Sequence, residues 1–165
     1  IPSTPLFGWA KPVPVNEARF SDMRWNVVVA LAGPFSNFLL ALFASLVFSL
    51  LLRLYAVASV WGWALPSDEV MDAVSHAFYL FISLNFGLMA FNLVPIPPLD
   101  GSHVVYHFLI RGRGQLYGLW DFLQQYGFLI LLGLFWMLGV GSLLGLLVHQ
   151  LLRLMFTILA VPIGF

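Results

Sequence analysis

Ala77-Phe-Tyr-Leu-Phe-Ile-Ser-Leu-Asn85-Phe-Gly-Leu-Met-Ala-Phe-Asn92-Leu-Val-Pro95-Ile-Pro97-Pro98-Leu-Asp100-Gly101 is the stretch from which the fold can be read. From Ala77 to Leu99 it carries no Asp, Glu, Lys or Arg. At about 1.5 Å per residue, a helix of this length crosses the roughly 30 Å hydrocarbon core of a bilayer. Its end has a different character. Pro95, Pro97 and Pro98 cannot continue a helix, so the chain must unwind just ahead of Asp100. Backbone unwound at membrane depth is tolerated only where it is buried in protein or lines a cavity, and a carboxylate at such a break is expensive in lipid. Two readings of Asp100 follow: metal or proton chemistry at the break, or an interfacial N-cap for the next helix.

The rest of the chain fits a membrane setting. Of its 165 residues 61% are hydrophobic and only 8% charged, and the mean hydropathy is +0.96. A soluble domain carries about 25% charged residues, so an ordinary water-soluble globule is excluded. Seven basic and seven acidic side chains cancel, which leaves no basic footprint for nucleic acid. The absence of cysteine excludes disulfide scaffolds and thiolate metal sites. Trp25–Leu52 and Phe122–Leu152 are two further uncharged runs, both long enough to span. The expected architecture is an all-α polytopic membrane protein of three to four transmembrane helices in one domain. Its spans are 25–52, 77–99 and 122–152, with 154–165 a short span or a re-entrant piece.

Orientation follows from the basic residues. Lys11, Arg19 and Arg24 precede the first span, and Arg111 and Arg113 follow the second, whereas 66–76 holds Asp68, Glu69 and Asp72 with no Lys or Arg. The positive-inside rule places 1–24 and 100–126 in the cytoplasm and the acidic connection outside. Arg153 then falls outside, in mild conflict with the rule unless the C-terminus re-enters. Arg53 can snorkel outward from its helix end. Pro2, Pro5, Pro12 and Pro14 forbid a helix near the start, so 7–16 reads as an extended loop or edge strand at the membrane surface.

Polar residues inside the spans are candidates for chemistry or packing. Gly33, Asn37, Ala41, Ser45 and Ser49 recur every fourth residue and form one slanting stripe of small groups, which suits close helix packing. Pro34 releases a backbone carbonyl beside the Asn37 amide. Asn85 and Asn92 are two turns apart on one face. His103 and His107 share a face if helical, but residue 104 is Val, so the pair is not a His-Glu-x-x-His zinc motif and is adequately explained as interfacial. Gly141-x-x-x-Gly145 offers a helix-packing surface.

Three segments together resemble the site-2 proteases, which are intramembrane zinc metalloproteases. Phe7-Gly-Trp-Ala-Lys-Pro-Val-Pro-Val-Asn16 is similar to the loop after their zinc-binding helix, Gly33-Pro34-x-x-Asn37 to a motif of the following helix, and Asn92-x-x-Pro95-x-x-Pro98-Leu99-Asp100-Gly101 to their Asp-Gly signature. Glu17 departs from the proline often found there. The resemblance implies a zinc-dependent endopeptidase of the cell membrane that hydrolyses peptide bonds in transmembrane segments of other membrane proteins, within the lipid bilayer and without nucleic-acid partners. Asp100 would be the third zinc ligand, and Asn92 would act on the substrate backbone in the same cavity. Trp9, Lys11 and Val13 of the loop, with Asn37, would contact the substrate, the loop by edge-strand hydrogen bonds. Two His ligands and the Glu base are expected upstream of Ile1, since the 165 residues contain no His-Glu-x-x-His and by themselves are expected to be inactive. One alternative is a non-catalytic, membrane-embedded binding relative. Another is a transporter or channel subunit, which predicts an inverted repeat that the sequence lacks.

Overall fold

A computed structural model describes residues 24–137 and 139–159. Four of its helices are long and apolar enough to cross a membrane. Helix α1 runs Arg24–Val60, α2 Asp68–Asn92, α4 Tyr117–Met137 and α5 Val140–Ile158. Between α2 and α4 lie the unwound segment 93–100, the short helix α3 (Gly101–Val105), a π turn over Tyr106–Ile110 and a 3-10 turn over Gly114–Leu116. The described residues form no strand. The all-α polytopic expectation is met, and the extended loop expected at 7–16 lies outside the described residues.

Helix boundaries differ from the charge boundaries in instructive ways. α1 does not stop at Leu52 but continues through Arg53 to Val60. Charge ends an apolar run, but arginine is a good helix former, and nothing between Arg53 and Val60 breaks a helix. The stop comes at Gly62, where φ is 67°, with Trp63 N–H donating to Ala58 O at 3.0 Å and Gly62 N–H to Ser59 O at 3.3 Å. These are the two bonds of a Schellman cap, and they need a residue at ease in the left-handed region. α2 likewise begins at Asp68 rather than Ala77, because Asp68 and Glu69 in its first turn suit the positive end of the helix dipole. Its end at Asn92 falls three residues before Pro95, as the prolines require. The run 122–152 is not one span: α4 ends at Met137, Gly139 turns the chain at φ 61°, and α5 starts anew.

α1 and α2 form an antiparallel hairpin, for Phe38 meets Phe86 at 6.4 Å and Phe48 meets Phe78 at 5.1 Å between ring centroids. α5 runs parallel to α1, since Phe156 packs on Phe48 at 6.3 Å while Leu159, further along α5, meets Arg53, further along α1. Ala41, Ala44, Phe48, Ile82, Phe86, Leu152 and Phe156 make the core. In lipid there is no hydrophobic drive between helices, so close packing through small residues carries the association. Ala41 and Ser45 are both fully buried, and the Ser45 hydroxyl is satisfied by Ala41 O at 2.8 Å. The packing reading of the stripe at Ala41, Ser45 and Ser49 therefore stands. Among the described residues Gly141-x-x-x-Gly145 meets no such seam: Gly141 faces the Phe135 ring of the adjoining helix end, and Gly145 opens to space.

Arg53 finds a use other than snorkelling. Its guanidinium donates to Leu159 O at 2.9 Å, and Ser49 Oγ donates to the same carbonyl at 3.4 Å. A cation on a terminal carbonyl of α5 also complements the negative end of that helix. Arg53→Ala is expected to speed backbone hydrogen exchange in the last turn of α5 without changing the α1–α2 hairpin. Unaltered exchange there would show that the packing of Leu152 and Phe156 alone holds the helix end.

Candidate active site

The helical ladder of α2 ends with Leu93 N–H donating to Met89 O at 3.1 Å, and beyond it the three prolines make the segment close on itself instead. Val94 N–H donates to Phe91 O at 3.1 Å, Ile96 N–H to Val94 O at 2.9 Å and Leu99 N–H to Ile96 O at 3.0 Å. Leu99 O then accepts both Ser102 N–H at 3.0 Å and Ser102 Oγ–H at 2.6 Å. Pro97, Leu99, Gly101 and Ser102 are buried. Within the segment, however, Leu93, Pro95 and Pro98 are exposed, so protein covers the unwound backbone only in part, at Pro97 and Leu99.

Two glycines make the close approach at its two ends possible. A Cβ at Gly101 would lie 2.6 Å from Leu93 C and 2.8 Å from Val94 O, and nearer still to Leu93 O. Only a residue without a side chain lets the end of the segment return onto its beginning. A Cβ at Gly127 of α4 would run into the carbonyl oxygen of Pro97. α4 is fixed on either side of this contact by Trp120 against Tyr106 at 5.0 Å and by Phe135 against Phe91 at 5.8 Å. Gly127 was not visible as special in the sequence, because Gly118 and Gly133 of the same helix look alike there and meet nothing.

Asp100 occupies the N-cap position of α3 yet makes no capping hydrogen bond with its side chain. The reason is conformational: an N-cap side chain reaches back to its helix from the β region, whereas Asp100 is helical at φ −58°, ψ −36°. The capping reading is overturned. Instead Oδ2 rests on α1, 2.9 Å from where a Cβ would stand on Gly33. Burial pushes the carboxyl above its usual range, and the positive charge of neighbouring His103 pulls it part of the way back. Asn37 is half-buried one turn along α1 from Gly33, and Pro34 between them is buried. Asn92, half-buried, is the last residue of α2 and begins the segment that Asp100 ends. Asn85 does not join them, since its amide donates to Phe81 O at 2.8 Å in its own helix.

The structure therefore brings the Gly33-Pro34 motif onto the Asp-Gly motif, which sequence spacing alone could not do. His103 and His107 are not a regular i, i+4 pair, because the π turn starts between them and Arg111 N–H reaches back five residues to Tyr106 O at 2.9 Å. Among the described residues no three of His, Cys, Asp and Glu stand close enough to hold a metal. Asp100 suits the role of a single ligand: an uncapped carboxylate, half-buried, beside a Gly33 that remains exposed. A hydrolytic zinc site takes three protein ligands, and among the described residues Asp100 is the one candidate this geometry offers. Trp9, Lys11 and Val13 lie outside the described residues.

Residues 13–134 match Peptidase family M50. A Bacillus subtilis (strain 168) protein named "Putative zinc metalloprotease YwhC" is 34% identical over 131 residues, which is 78% of this chain and 54% of that protein. The chain thus spans about half the length of the curated relative it matches. No solved structure matches. With the family match covering α1, α2, the unwound segment and most of α4, the chain belongs to peptidase family M50, the site-2 proteases.

Proposed function

We propose that this chain carries the aspartate-bearing part of the active site of an intramembrane zinc endopeptidase. The observation behind this reading is Asp100: an uncapped carboxylate at a proline-made break between helices, seated on the Gly33 motif of α1, inside the region matched to the family. Asp100 would hold the zinc ion, joined by two histidines and a glutamate base from beyond these 165 residues, which contain no His-Glu-x-x-His. The bound ion supplies an activated water and a polarised carbonyl. The chain's own residues then act on the substrate. Asn92, the last residue of α2 ahead of the unwound segment, would hydrogen-bond the backbone of a transmembrane segment that has lost its helical bonds. Asn37, a turn from the Asp100 seat, contacts the same substrate, and Trp9, Lys11 and Val13 offer it an edge strand. The substrate is a transmembrane protein, and the setting is a cell membrane with 1–24 and 100–126 on the cytoplasmic side, supported by the basic residues of those segments.

The test is metal removal from the complete gene product, reconstituted with a membrane-anchored substrate. Cleavage is expected to disappear with a zinc chelator and to return with added zinc but not with magnesium, whose oxygen-only preference this ligand set does not meet. Stable capture of the transmembrane segment with no cleavage, zinc or none, would favour the non-catalytic binding relative instead.

A further inference from the structure

The contact between Gly33 and Asp100 does more than join two motifs. Resting on the metal reading above, we infer that Gly33 is a positioning residue: its missing side chain is the seat that sets the direction in which the Asp100 carboxylate presents its oxygens. Oδ2 stands 2.9 Å from the place a Cβ would take on Gly33, closer than side chains tolerate. A methyl there must displace something. α1 cannot easily yield, because Pro34, the next residue, is buried and the helix runs unbroken past it. The backbone of Asp100 cannot easily retreat either, because Gly101 behind it is already tight against Leu93 and Val94. The remaining freedom is the carboxylate itself, which must turn about its side-chain bonds. Metal ligation tolerates only about 0.2 Å of error in bond length, so a turned carboxylate is a poor ligand.

The experiment uses the complete gene product in detergent, with zinc affinity read by chelator competition. Gly33→Ala is expected to weaken zinc binding about tenfold or more, the range seen when a group that orients a ligand is lost. Gly87→Ala, in a helix position with nothing near its would-be Cβ, is expected to bind as the parent does. Against an Asp100→Asn background, Gly33→Ala is expected to change the residual affinity no further, because its effect passes through the carboxylate. Equal losses with and without that carboxylate would overturn the role of Gly33, as would unchanged affinity in the single variant. If Gly33→Ala fails to fold, the double variant Gly33→Ala, Asp100→Gly removes the clash and is expected to fold; its failure would also overturn the role. Parent-like zinc binding by Asp100→Asn alone would instead overturn the metal reading, so the two failures are distinguishable.

Discussion

Asp100→Asn in the complete gene product is expected to insert and fold, to lose zinc and to cleave nothing. The substitution keeps shape and removes charge. Zinc in such sites is held by His nitrogen, carboxylate oxygen or thiolate, and a neutral amide oxygen is a weak substitute. The loss in zinc affinity is expected to be about 100-fold or more, since partners that only orient a ligand already account for 10- to 100-fold. Folding has little reason to suffer. The Asp100 side chain makes no capping bond, and burial disfavours its charged form, so its replacement by a neutral amide removes a desolvation penalty rather than a support. The metal-free variant is accordingly expected to melt at or above the temperature of the metal-free parent. Zinc content and cleavage equal to the parent's would sink the ligand assignment. A variant that fails to fold would mean that Asp100 is structural.

Much of this arrangement was legible in the residues, for reasons that also mark the limits. Proline acts locally, so the end of α2 at Asn92 and the unwinding before Asp100 followed from Pro95, Pro97 and Pro98. The small-residue stripe was legible because lipid leaves close packing as the means of helix association, and Ala41 and Ser45 are indeed buried. Helix lengths were less legible. Charge marks where lipid ends, and α1 and α2 both run on beyond it, through Arg53 and back to Asp68. The break at Gly139 was hidden in an apolar run, where a glycine can equally well be helical. Capping by Asp100 was a fair expectation from residue type and failed on backbone conformation, which residue type does not fix. The contacts of Gly33 and Gly127 with the unwound segment were out of reach, because they join residues far apart in sequence. A glycine that lets another backbone approach has no chemistry of its own by which to be recognised.

That last point yields the second large effect, which concerns stability rather than chemistry. Gly127→Ala is expected to destabilise the protein although alanine is the better helix former. Within α4 the substitution should gain up to about 1 kcal/mol from propensity. Against it stands the Pro97 carbonyl, which the new methyl would overlap. The obstacle is backbone, in a segment made stiff by three prolines and closed behind by Gly101, so neither side can give by a rotamer change. α4 must lift away, loosening the aromatic contacts of Trp120 with Tyr106 and of Phe135 with Phe91. Overpacking of this kind costs about 1–3 kcal/mol, enough to exceed the propensity gain. Gly133→Ala is the internal comparison: same helix, same chemistry, nothing near the would-be Cβ. It is expected to raise the melting temperature in detergent, while Gly127→Ala lowers it by several degrees. If both shift the melting temperature in the same direction, α4 is not seated on the proline segment, and the position of Asp100 must be held by α1 alone.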